Sequence, residues 1–287
     1  MRLLKYHPHN SVLFVTFSME EGLFFLANKL CDLIIKSCLA RAQYNHPVRI
    51  CAFHVAANHV HLVIVVSNPD DVCGFVRCFK TESAHMINRL LGRRKRTIWC
   101  EGYDSPIVLT LTRTILALSY LYINPVKDHL VETVEDYPGL SSWKMFQSGK
   151  TVKTWKRLLR SSIPCLTPDC HNSAGYSRVA ERLMAESQSA HTFILEPDAW
   201  MDAFGVFDQD LRNYLNSSLA GHIATLEKRE QKLRLRSGRS VIGINRLLQQ
   251  TFHLTYISKR KGKRTVCLSD LKRIRVHFLS QIKHLFV

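Results

Sequence analysis

Phe53-His54-Val55-Ala56-Ala57-Asn58-His59-Val60-His61-Leu62-Val63-Ile64-Val65-Val66 is the stretch on which the fold reading turns. From Val60 onward it is a short apolar run rich in β-branched residues, the mark of a buried strand. His59 and His61 are two apart, so on a strand both imidazoles leave the same face. Two neighbouring imidazoles form one edge of a divalent-metal site. Alternating histidines also occur as hydrogen-bonded strand surface, and spacing alone leaves both readings open. Upstream, residues 48–56 predict a second strand, with Ala56-Ala57-Asn58 as the hairpin turn. Residues 11–18 (SVLFVTFS) predict a first strand. Between them, residues 24–44 place Leu26, Leu30, Leu33, Ile34 and Cys38 at helical spacing, with Lys29, Lys36 and Arg41 outside.

Downstream, Asn68-Pro69-Asp70 opens a helix with Asp70 as its N-cap. Phe75, Val76, Phe79, Met86, Ile87 and Leu90 supply its buried stripe, and Gly92 its C-terminal stop. Residues 97–103 and 106–109 predict one more strand with a break. Residues 112–123 predict a helix that ends or kinks at Asn124-Pro125, because the residue before proline avoids the helical region. The order β-α-β-β-α-β-α places residues 1–147 in the α+β class, an antiparallel sheet with helices on one face. Residues 148–175, rich in Gly, Pro, Ser and Thr, predict a connector with one basic helix at 152–159. Residues 176–287 predict a basic, mainly helical region. From 228 to 287 sixteen Lys and Arg face two acids. There, helices at 240–250 and 268–285 would flank the run 259–264, a helix-turn-helix in outline only.

The charge names a class of partner. Lys+Arg 40 against Asp+Glu 23 gives a net +17 and a pI near 9.7, which points to a polyanion. A hydrophobic fraction of 46% and a mean hydropathy of −0.08 describe a globular chain. No apolar run approaches the length of a membrane span, and the N-terminus makes a poor signal peptide. The expectation is a cytoplasmic, nucleoid-associated protein with no membrane contact. Nine cysteines without paired spacing suit a reducing compartment. Cys165-x4-Cys170-His171 lacks the further ligands of a zinc knuckle.

Tyr120 and Asn124 are four apart and share a helix face, from which Tyr122 is rotated away. Set over the face bearing His59 and His61, they complete a phosphoryl-transfer site. Two imidazoles and an amide oxygen hold a divalent ion, and the Tyr120 phenol attacks phosphorus to leave a covalent phosphotyrosine. Asn124 has an alternative role, a local side-chain bond at the kinked helix end. Tyr122 better fits a half-buried aromatic, and His54 and His85 read as satisfied core or surface histidines. Lys80, Arg93, Arg94, Lys95, Arg96, Lys127, Lys259, Arg260, Lys261, Lys263 and Arg264 are the candidate phosphate contacts.

Asn58-His59-Val60-His61 and Tyr120-Leu121-Tyr122-Ile123-Asn124-Pro125-Val126-Lys127, in this order, resemble the two motifs of the single-tyrosine HUH transposases. The tail Tyr137-Pro138-Gly139-Leu140-Ser141-Ser142-Trp143 is similar especially to the REP-associated type. The resemblance spans roughly residues 11–143. It implies a ferredoxin-like core, Tyr120 as nucleophile, and His59, His61 and Asn124 as ligands of Mg²⁺ or Mn²⁺. It implies single-stranded or hairpin DNA cleaved to a 5′-phosphotyrosine with a free 3′-OH, then rejoined. Two departures stand out: Ala56-Ala57 where the family often has Met-Pro, and Glu101-Gly102-Tyr103-Asp104-Ser105 where a Gly-Arg-Phe-like element is expected. A non-catalytic DNA- or RNA-binding regulator is the alternative, and a phosphodiesterase without a covalent step a third reading. The sequence leaves open a homodimer, with Tyr120 acting within its own subunit or across to the other.

Overall fold

The computed structural model describes residues 5–19, 27–56, 58–93, 97–250 and 267–281. β1 (Val12–Ser18), α1 (Lys29–Asn45), β2 (Arg49–Val55), β3 (His59–Val65), α2 (Pro69–Leu90), β4 (Ile107–Val108) and α3 (Leu111–Lys127) come first. After them stand α4 (Trp143–Ser148), β5 (Val152–Lys156), α5 (Ser173–Glu186), β6 (Ala190–Ile194) and α6 (Ala199–Ala203). α7 (Gln209–Arg236), α8 (Ile244–Gln249), β7 (Cys267–Leu268) and α9 (Lys272–Gln281) complete the series. The fold is α+β. The main sheet has the order β2-β3-β1-β4-β7, antiparallel except where β7 runs parallel to β4. The broken strand expected over 97–109 takes the form of single bridges from Trp99 to Met19 and from Asp104 to Thr16, followed by β4.

Side-chain alternation sorts the strands onto two cores. Leu13, Val15, Phe17, Leu62 and Ile64 face α1 and α2. Val12, Val63 and Val65 face Leu118, Leu121 and Tyr122 of α3, with Trp200 of α6 in the same cluster. Helices therefore cover both faces, and the expected one-sided layer corresponds to α1 and α2 alone. Two-sided burial is what a nearly continuous apolar run such as β3 requires, since every residue after His59 in that strand is buried.

Local chemistry sets the helix ends. Asn28 caps α1 by accepting from the Cys31 amide, and Asn68 caps α2 by accepting from the Asp70 amide. The cap of α2 is thus Asn68 and not Asp70, because Pro69 occupies the first helical turn, where its missing N–H costs nothing. Gly92, at φ 63°, follows the end of α2 as expected. α3 neither ends nor breaks at Asn124: it carries Pro125 within it and continues to Lys127. Tyr120, Asn124 and Lys127 consequently lie along one helix face.

The tail at 137–143 lies along the free edge of β2. The Val55 amide donates to the Leu140 carbonyl and the Ser142 amide to the Phe53 carbonyl, both at 2.9 Å. Residues 152–156 form a strand where a helix was expected. β5 pairs antiparallel with β6, and Trp155 stacks on Phe193 at 4.3 Å. Leu158 and Ile163 of the 148–175 stretch, with Phe193 and Leu195, join the core of α1 and α2. α7 packs along α3 through Leu215, Leu219 and Ile223, and Arg234 near its end forms an ion pair with Glu132. The run 259–264 lies outside the described residues. No helix among the described residues is long and apolar enough to cross a membrane.

Candidate active site

β3 presents His59 and His61 to the face covered by α3. Their rings lie 4.4 Å apart, nearly perpendicular. Neighbouring side chains fix both imidazoles. His59 Nδ1 donates to Asn58 Oδ1 at 2.8 Å, which leaves Nε2 as the lone-pair nitrogen. His61 Nδ1 shares a 2.9 Å hydrogen bond with Thr16 Oγ1, from the residue directly opposite on β1. Engaging Nδ1 so that Nε2 is free is how a protein orients an imidazole for a metal.

Burial keeps these rings neutral. It holds His59 down to about 4 and His54, the residue opposite His61 on β2, down to about 3. His61 lies well below its ordinary value, first through burial and then because its charged form would be repelled by protonated His59 or His54 and by the Lys127 ammonium. A neutral ring retains the lone pair that a metal takes.

His54 is not a satisfied histidine. It is fully buried, stands 4.9 Å from the Tyr137 ring, and leaves both ring nitrogens without a partner. Buried neutral histidines make the fold acid-sensitive. Their folded pKa lies below the unfolded one, so the unfolded chain binds more protons between the two values. Stability is therefore full above about pH 6.5 and declines as pH falls toward 4, by up to ~1.4 kcal/mol per pH unit per histidine. His54→Leu is expected to shrink the difference in urea-unfolding free energy between pH 7 and pH 5. An unchanged difference would show that His54 is protonated equally in both states.

Tyr120 projects from α3 toward this pair. Its ring stands 5.6 Å from that of His61 and 6.2 Å from that of Phe14, edge-on to both. The Lys127 ammonium sits 4.8 Å above the ring centre, an arrangement that needs α3 to persist through Pro125. Tyr120 remains 40% exposed, so a large substrate can reach it, whereas Tyr122 is fully buried. The Tyr122 hydroxyl shares a 2.9 Å hydrogen bond with Ser142 Oγ, so the Ser-Ser-Trp tail holds the tyrosine that faces the core.

Asn124 lies one turn after Tyr120 and is buried. Its Oδ1 has no hydrogen-bond partner, and neither has His61 Nε2. Orphaned buried polar atoms of this kind call for an explanation, and a cation held by His59, His61 and Asn124 would supply one. No group of three or more His, Cys, Asp or Glu that could hold a metal lies among the described residues; the set here is two imidazoles and an amide.

The basic residues divide. Lys80 donates to the carbonyls of Cys100 and Gly102 at 2.7 and 2.8 Å, so it pins the 97–104 segment to α2. Lys80→Met is expected to lower the unfolding free energy by about 2 kcal/mol. Its affinity for DNA at saturating folded protein should stay unchanged; a loss of affinity without a loss of stability would reverse this assignment. Arg93 lines a cleft of about 730 Å³ with His85, Arg89 and Arg160. Lys127 is exposed beside Tyr120. Arg94, Lys95, Arg96, Lys259, Arg260, Lys261, Lys263 and Arg264 lie outside the described residues. Sequence reasoning missed Phe14 and Thr16, which contact the site from β1. Their register opposite Val63 and His61 was the available signal.

Residues 24–114 match the family described as "Transposase IS200 like". That segment contains the histidine strand and stops before Tyr120. No curated protein matches the chain. Among solved structures, it is similar to one described as the REP-associated tyrosine transposase bound to a REP hairpin. The identity is 19%, over 52% of this chain and 86% of that one, with a TM-score of 0.44.

Proposed function

We propose, from the premise that residues 24–114 make this chain a relative of the IS200-like transposases, that the protein is a DNA strand transferase using Tyr120 as nucleophile. One observation carries the reading: an accessible phenol stands beside two hydrogen-bonded imidazoles, His61 buried and His59 half-buried. The match supports a transposase in the broad sense; the chemistry below rests on the geometry and on the motifs.

A scissile phosphodiester of single-stranded or hairpin DNA lies against the exposed edge of Tyr120. The phenolic oxygen forms a bond to phosphorus as the bond to the 3′-oxygen breaks. The phenol proton ends on the released 3′-OH, and the 5′-phosphate remains on the tyrosine. Attack by a 3′-OH reverses the step and joins strands, with no outside energy source, since one phosphate ester is exchanged for another. Phe14 and His61 hold the phenol ring edge-on, and Lys127 offers an ammonium to a phosphate oxygen. His59, His61 and Asn124 would hold the divalent ion, Mg²⁺ or Mn²⁺. When bound, that ion would supply positive charge against the phosphate.

The test is a labelled single-stranded oligonucleotide carrying a hairpin. An adduct that survives SDS, requires Mg²⁺ or Mn²⁺ and does not form when EDTA is present is the expected result. Retarded migration without an adduct would support a binding protein instead, and cleavage without an adduct would support a phosphodiesterase.

A further inference from the structure

α1, β5, α5 and the turn at 188–190 enclose a cavity of about 690 Å³. It belongs to the α1 side of the sheet, opposite the face that carries Tyr120. A volume of this size suits a small-molecule or nucleotide-sized group. Leu33, Trp155 and Met184 supply its apolar lining. Trp155 is held rigidly: it stacks on Phe193 at 4.3 Å and 16°, and the buried Phe193 meets Phe53 edge-on at 5.4 Å.

The charges of the lining are unevenly spent. Asp32 is paired with Lys36, and Lys156 donates to the Ser187 carbonyl at 2.7 Å. Lys29, at the exposed start of α1, and Glu181, exposed on α5, have no ion pair among the described residues, so the rim carries one unpaired ammonium and one unpaired carboxylate. A rigid indole offers a base a stacking surface, and an ammonium at the rim offers its phosphate a counter-charge. The chain's net charge of +17 favours a polyanionic occupant.

We infer that this cavity takes one unstacked base of a single-stranded polynucleotide, the base lodged against Trp155 and Met184 and its flanking phosphate at Lys29. It is a second nucleic-acid contact, separate from the reaction at Tyr120. Trp155 and Met184 both lie outside the segment shared with the transposase family.

Ultraviolet cross-linking of the full chain bearing Tyr120→Phe to a hairpin-free oligonucleotide containing 5-iodouracil tests the assignment. Peptide mapping is expected to find the label on the Trp155 peptide. Lys29→Glu and Met184→Asp change exposed side chains and leave the fold intact. Each is expected to weaken binding of the same oligonucleotide by about tenfold, read by fluorescence anisotropy. Labels confined to other peptides, together with unchanged affinity in both variants, would overturn the inference, and would also be the outcome if the cavity holds a protein side chain or an apolar small molecule. The result is independent of the adduct assay: a chain that labels at Trp155 but forms no adduct with Tyr120 present would refute only the strand-transfer reading.

Discussion

Tyr120→Phe should eliminate the covalent protein–DNA adduct, by on the order of 10³-fold or more in rate, while oligonucleotide affinity changes little. The hydroxyl removed is the attacking atom, and no neighbouring group replaces a missing nucleophile. Binding survives because the phenyl ring still packs against Phe14 and His61. Tyr122→Phe provides the contrast within the same helix. It deletes a buried hydrogen bond to Ser142 and is expected to cost about 1 kcal/mol of stability with adduct formation retained. Equal adduct levels from Tyr120→Phe and the parent chain would end the proposal that this tyrosine is the nucleophile. An adduct lost in Tyr122→Phe alone would move the role two residues along.

His61→Ala carries the second large effect. Calorimetric titration with Mn²⁺ is expected to show affinity reduced by more than about 100-fold, and the adduct should vanish at ordinary metal concentrations. Thr16→Val probes the support rather than the ligand. It removes the hydroxyl that fixes His61 Nδ1, so the expected loss is smaller, about tenfold, with no change in stoichiometry. Asn124→Ala should fall between the two, since its orphaned Oδ1 then has no successor. Wild-type Mn²⁺ affinity in His61→Ala would place any cation elsewhere and leave the paired histidines as strand packing.

Much of this was legible in the chain. The apolar run after His59 is local information, as are the i, i+4 relation of Tyr120 to Asn124 and the glycine after α2. What was not legible depends on partners distant in sequence. The backbone of α3 crosses Pro125 because its apolar residues on both sides of the proline, Leu121, Tyr122 and Val126, are already committed to the second core. The rule that helices stop before proline yields to that packing. Val152–Lys156 contains Val, Thr and Trp, which suit a strand, but its partner lies 34 to 42 residues later and its basic residues imitate a helix face. Lys80 counted as a phosphate contact on charge alone, whereas two carbonyls of a loop twenty residues away claim its ammonium. The burial of His54 follows from the tail lying over β2, a contact between segments about 85 residues apart.

The rim of the main sheet has a consequence for how the molecule is made. β4 is two residues long, and its outer edge is closed by β7, which arrives about 160 residues later. A nascent chain emerging from the ribosome therefore carries an unclosed sheet through most of its synthesis. Contacts of such long loop length form slowly, so maturation of this protein should be limited by the docking of its last strand, and a stalled or shortened polypeptide would present that bare edge to its neighbours.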